Sequence, residues 1–129
     1  VAAARANFRE AGLADRADAV AGSFFDPLPV TGDAFVLGWI LHDWDDASAE
    51  TILRRCAEAA GPTGTVLVAE HAAEDVVSEL DLRMLAFFQG RERGTDELAA
   101  LAERAGLCVA GSHRHRGVAL MELTPGRPM

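Results

Sequence analysis

The sequence predicts an α/β fold, a sheet with flanking helices. Three observations point there. Residues 33–41 (DAFVLGWIL) and 65–69 (TVLVA) are near-continuous apolar runs, as expected of strands buried on both faces. Between them, Ile52, Leu53, Cys56 and Ala60 form one apolar stripe at helical spacing. Strand, helix and strand of these lengths make a βαβ crossover.

The other elements follow in order. Residues 1–11 are good helix formers, and Gly12 stands where a helix C-cap belongs. Residues 17–21 form a short apolar run, expected as a strand. Gly22-Ser23-Phe24-Phe25-Asp26-Pro27 is a loop, closed by Pro27 and Pro29. Asp45 or Asp46 caps the helix after the second strand, and Gly61-Pro62 stops it. A helix is expected over 76–89, with Val77, Leu80, Met84, Phe87 and Phe88 as its buried stripe. Thr95 or Asp96 caps another, with Leu98, Leu101, Ala102 and Ala105 inward and Gly106 at its end. Residues 107–111 and 117–123 read as two strands joined by a His/Arg-rich turn. No repeat or linker divides the chain, so one domain is expected over 1–124, with 125–129 as a tail.

Composition narrows the function classes. The formal net charge of −8 argues against a nucleic-acid face, because phosphate contacts need clustered Lys and Arg. The only dense basic stretch, His113-Arg114-His115-Arg116, is read as a solvated strand end. Cys56 and Cys108 have neither C-x-x-C nor Cys/His ligand spacing, so no metal site is expected. Both are read as reduced core thiols, as in a cytoplasmic protein. No apolar run approaches the ~20 residues of a membrane span, and residues 1–10 contain no signal-peptide core. The chain opens with Val, a hint that the natural start lies elsewhere.

In open α/β sheets, ligands bind beyond the carboxyl ends of the strands. Phe24, Phe25 and Asp26 follow the first expected strand, His42-Asp43-Trp44-Asp45-Asp46 the second, and Glu70-His71 end the third. Neighbouring strands lie ~4.8 Å apart, which brings His42 and Glu70 to one rim. A histidine beside a carboxylate is a workable general base, and Asp43 and Glu92 could join it. The plainer reading is that His42 and Asp43 start a loop and that Glu92 is a solvated loop charge. Asp45 and Asp46 are taken as helix caps. One of Phe24 and Phe25 is expected to plug the core, and the other could stack on a flat heterocycle. Trp44 is open between core and pocket wall.

The blocks Gly22-Ser23-Phe24-Phe25-Asp26-Pro27-Leu28-Pro29, Leu41-His42-Asp43-Trp44-Asp45-Asp46 and Ile52-Leu53-Arg54-Arg55-Cys56 resemble the plant caffeic-acid-type O-methyltransferases and their bacterial polyketide-tailoring relatives. Val66-Leu67-Val68-Ala69-Glu70, Asp81-Leu82-Arg83-Met84-Leu85 and Gly90-Arg91-Glu92-Arg93 agree in order. The resemblance implies a partial Rossmann-like class I methyltransferase sheet that uses S-adenosylmethionine. It implies a catalytic set of His42 as the base, with Glu70 and Glu92 holding it, acting on the hydroxyl of a small molecule without a metal. It places the cofactor against Ser23, Phe24, Gly38 and Trp39. It also implies a homodimer.

Three departures stand out. The family usually carries Asp at Ser23 and Lys or Ser at Gly38. Its first two strands, its glycine-rich loop and its N-terminal helical region have no counterpart in these residues. The chain is thus expected to be the C-terminal part of a catalytic domain, poorly stable, rearranged or partner-dependent by itself. The competing expectation is a non-enzymatic remnant or interaction module. A cofactor-free hydrolase finds no support, since no nucleophile elbow is present.

Overall fold

The structure is a computed structural model, and it describes residues 1–71, 90 and 93–126. Its helices are α1 (Ala2–Glu10), α2 (Asp46–Ala60) and α3 (Thr95–Arg104), and its strands are β1 (Ala34–Gly38), β2 (Thr65–His71), β3 (Leu107–His115) and β4 (Val118–Pro125). The helix expected over 76–89 lies outside the described residues.

The four strands form one mixed sheet in the order β1-β2-β4-β3. β1 and β2 are parallel, with Gly38 opposite Ala69 at the carboxyl end. They flank α2 in the chain, as the expected crossover requires. β4 runs antiparallel to both β2 and β3. It therefore inserts between its two predecessors, and the sheet resumes its pairing through a hairpin.

Side-chain alternation explains the core. Val66 and Val68 of β2 face Leu123 and Met121 of β4, and all four are at most 2% exposed. Leu37 of β1 joins them beside Val68. Onto this face pack Ala49, Ile52, Leu53 and Cys56 of α2, together with Leu98, Leu101 and Ala102 of α3. Each large apolar side chain so buried contributes about 1.5–3 kcal/mol. The opposite face is barer, with Val36 at 68% exposure and Leu120 and Val109 near 40%.

Several expectations are corrected. Residues 17–21 form no strand. No described strand lies beside them, and exposed contacts hold them instead, chiefly Arg5 of α1 donating to both carboxylate oxygens of Asp18 at 2.7 and 3.2 Å. The run 33–41 is a strand only to Gly38. Trp39 has φ +53°, which no extended strand can hold, and Leu41–Asp43 then turn as a 3-10 helix. The cap of α2 is Asp45, whose carboxylate accepts from the Ser48 N–H at 2.8 Å. The cap of α3 is Gly94, not Thr95 or Asp96. Its N–H donates to Glu97 Oε2 at 3.1 Å, the backward half of a capping box, in which the N3 carboxylate satisfies the cap residue's own N–H. The basic stretch is mostly strand, because β3 continues to His115 and only Arg116 and Gly117 make the turn, both at positive φ. Pro125 pairs with Leu107, so the sheet reaches into the expected tail. Cys108 is exposed, whereas Cys56 is buried.

Candidate functional site

The rim is built by the ends of β1 and β2. Parallel pairing at Gly38 and Ala69 is extended by the Trp39 N–H donating to the Ala69 carbonyl at 2.9 Å. One residue later on each chain, the paths diverge. β2 continues its inward row, Val66 then Val68, to Glu70. A carboxylate thus occupies a core-facing position, only 3% exposed. Its partner across the sheet is Ala119, whose methyl group leaves room for it.

Glu70 has two tasks. Oε1 accepts the backbone N–H of Leu41 at 2.8 Å, anchoring the first residue of the 3-10 turn. Oε2 lies 3.7 Å from Nδ1 of His42. On the other side of the ring, Nε2 lies 3.4 Å from Oδ1 of Asp43. The His42 side chain is 12% exposed, so the imidazole sits in a polar cleft with carboxylates on both flanks. The expectation that His42 and Glu70 share one rim is met, and Asp43 joins them. Glu92 lies outside the described residues.

Of the residues expected around a cofactor, Ser23 is exposed and its hydroxyl accepts from the Phe25 N–H at 3.3 Å. That hydroxyl closes its own turn, together with the Asp26 N–H donating to the Ser23 carbonyl at 3.2 Å. Phe24 and Phe25 are both half-buried against the core. With Trp44 they form an edge-to-face cluster, with centroids 5.1, 5.8 and 4.8 Å apart. The cluster ties the 22–29 loop to the segment after His42, and it settles Trp44 as a packed wall. Arg55 of α2 fastens the same loop, its Nε donating to the Phe25 carbonyl at 2.9 Å. Gly38 is exposed, and a Cβ there would meet nothing within 4 Å. Trp39 is 42% exposed and stands edge-on to His71, with ring centroids 5.5 Å apart.

Two residues of the site escape sequence reasoning. Arg93 is 3% exposed. Its Nη1 donates to the Leu41 carbonyl at 2.8 Å, its Nη2 to the Trp44 carbonyl at 2.7 Å, and its Nε to Asp46 Oδ1 at 3.0 Å. Gly90 lies against the carbonyl of His42 so closely that a Cβ would overlap it. Their only signal was membership of the Gly-Arg-Glu-Arg block, where a glycine and a charge ordinarily read as loop.

No described helix is long and apolar enough to cross a membrane. Among the described residues, no group of three His, Cys, Asp or Glu side chains is placed to hold a metal ion.

The sequence profile of the O-methyltransferase domain matches residues 1–108. The 2,7-dihydroxy-5-methyl-1-naphthoate 7-O-methyltransferase of Streptomyces carzinostaticus is 52% identical over 124 residues, which cover 95% of this chain and 37% of that enzyme. Aclacinomycin 10-hydroxylase RdmB of Streptomyces purpurascens is 47% identical over 116 residues, covering 83% of this chain and 30% of that protein. The crystal structure of NcsB1, an O-methyltransferase from neocarzinostatin biosynthesis, in complex with S-adenosylmethionine and 2-hydroxy-5-methyl naphthoic acid, matches with a TM-score of 0.90 and 51% identity over 96% of this chain and 38% of that one. The chain thus spans less than two fifths of the length of these relatives. The sheet and its flanking helices are those of the class I methyltransferase fold. With the profile matching most of its length, this chain belongs to the O-methyltransferase domain family, which uses S-adenosylmethionine.

Proposed function

We propose that this chain carries the proton-accepting half of an O-methyltransferase site, one that methylates a hydroxyl of a small aromatic or polyketide molecule with His42 as general base. The observation that carries the reading is the His42 imidazole held between Glu70 and Asp43 at 3.7 and 3.4 Å. The acceptor class is supported by the naphthoate named for the Streptomyces carzinostaticus relative and by the naphthoic acid bound to NcsB1.

His42 receives the proton of the acceptor hydroxyl as that oxygen becomes a nucleophile. Glu70 fixes the backbone from which the ring projects, by accepting the Leu41 N–H. Bound S-adenosylmethionine would supply an electrophilic methyl group on a sulfonium. The residues here fit its flat adenine end. Gly38, with open space beside it, ends β1, the exposed Trp39 indole follows it, and the Phe24 ring lies on the 22–29 loop against Trp44. Aromatic faces and edges suit a heterocycle. Ser23 adds a hydroxyl, although that group already closes its own turn. Glu92 is proposed as a further carboxylate that helps to hold His42, as the resemblance implies. The sequence of this chain holds no glycine-rich loop for the methionine and ribose. The homodimer implied by the resemblance and the cytoplasmic setting read from the two unpaired thiols belong to the same proposal.

The test uses the full-length gene product with S-adenosylmethionine and a hydroxynaphthoate acceptor, followed by mass spectrometry. Methyl transfer replaces the hydroxyl hydrogen with CH3, a net gain of one CH2 in the product mass. His42→Gln should lower kcat about 10²- to 10⁴-fold while S-adenosylhomocysteine binding is retained. An unchanged rate would remove His42 from the role. A second reading follows from the relative named as a 10-hydroxylase: with dioxygen supplied as the oxidant, a product heavier by one oxygen instead of one methylene would favour it. Calorimetric titration of the 129-residue chain with S-adenosylhomocysteine addresses the remnant reading, since saturable binding argues against it.

A further inference from the structure

We infer that Arg93 is a positioning residue for proton transfer, and that it acts by gripping the backbone on both sides of His42. The inference rests on the proposed reading of His42 as the base. A guanidinium taken out of water is costly unless each face of it is paired. The Arg93 side chain is 2% exposed, and its partners are two backbone carbonyls and one carboxylate. The carbonyls are those of Leu41, immediately before His42, and Trp44, two residues after it, at 2.8 and 2.7 Å. The carboxylate is Asp46, 2.9 Å from Nη2 and 3.0 Å from Nε, in the first turn of α2.

Leu41 is thereby held at both of its polar groups: Glu70 takes its N–H and Arg93 its carbonyl. Three consecutive peptide units between Leu41 and Trp44 carry the base, and both ends of that span are fixed to residues far along the chain. Gly90 closes the third side, packed against the His42 carbonyl. The ring's place relative to an acceptor oxygen therefore depends on a planar, forked donor set. Lysine carries the same charge on a single ammonium and cannot reproduce that fork. A misplacement of about 1 Å in a reacting group can cost about a hundredfold in rate.

The experiment compares wild type, Arg93→Lys, Arg93→Ala with and without added guanidinium, and Arg54→Lys as an exposed control on α2, all in the full-length gene product. The expected result for Arg93→Lys is a kcat at least about tenfold lower, with KM for both substrates and S-adenosylhomocysteine affinity within about twofold. Guanidinium should partly restore Arg93→Ala, and Arg54→Lys should match wild type. Wild-type kcat in Arg93→Lys would overturn the inference. So would loss of folding or cofactor affinity in step with kcat, which would make Arg93 purely structural. Should the wild type transfer no methyl group, the functional reading fails by itself, and the ¹⁵N resonances of the His42 imidazole then decide. A displaced signal in Arg93→Lys supports positioning, and an unmoved one overturns it.

Discussion

At the scale of single residues, the site depends on close approaches that leave no slack. Gly90 is the sharpest case. A methyl group there would overlap the carbonyl of His42, so Gly90→Ala must push the turn or its own segment aside. Overpacking of this kind typically costs about 1–3 kcal/mol. The expected outcome is a lowered Tm together with a kcat loss larger than the loss in cofactor affinity, read from thermal denaturation and steady-state rates. His42 and Glu70 were legible in the sequence because each directly follows or ends an apolar run, and strand ends are where α/β sheets place ligands. Arg93 was not legible. An arginine in a glycine-flanked, charged stretch has the local chemistry of a solvated loop. Only the three acceptors brought to it by distant parts of the chain make it a buried residue.

At the scale of elements, α2 was read nearly whole, because its apolar stripe and its Gly-Pro stop are local signals. The cap could be narrowed only to Asp45 or Asp46, since both precede the stripe. The structure assigns it to Asp45, and the consequence is testable by pH. The Ser48 backbone N–H donates to the Asp45 carboxylate and holds its pKa below the ordinary value. A carboxylate with a lowered folded-state pKa adds stability that is fully present above its unfolded pKa. That stability is lost as pH falls through the folded one. Asp45→Ala should therefore lower Tm at neutral pH, and the gap from wild type should close as the solution is acidified below the normal carboxylate range. Paired thermal melts across that range check it. Residues 17–21 show the opposite limit of local reading. An apolar run has strand propensity, but a strand needs a neighbour, and propensity does not report whether one is there.

At the scale of the whole molecule, the fold has one well-packed face and one barer face, and the two cysteines report on it. Burial pushes the Cys56 thiol up to about 11, whereas Cys108 is exposed. A thiol reagent at neutral pH should label Cys108 promptly and Cys56 only when α2 leaves the sheet, as mass spectrometry of labelled peptides would record. Equal labelling of both in native buffer would mean that the core is open in solution. The sheet itself was only half legible. The parallel pair β1 and β2 follows from two apolar runs around a helix, but the insertion of β4 beside β2 does not. Antiparallel strands joined by a tight turn pair with each other by default, and which of them meets the rest of the sheet is decided by side chains far apart in sequence.

The inward row of β2 runs Val66, Val68, Glu70 without a break. Scaffold and candidate site thus occupy successive steps of one ladder, opposite Leu123, Met121 and Ala119. A protein that keeps its chemistry on loops can vary the loops and leave the frame alone. Here the freedom to alter the frame is limited by the chemistry, and the reverse is equally true. A slip of one residue in this strand would turn Glu70 to the opposite face and bring Ala69 or His71 inward. The register of β2 is therefore inherited as a single trait, one that specifies the core and, under the proposed reading of His42, aligns the base at once.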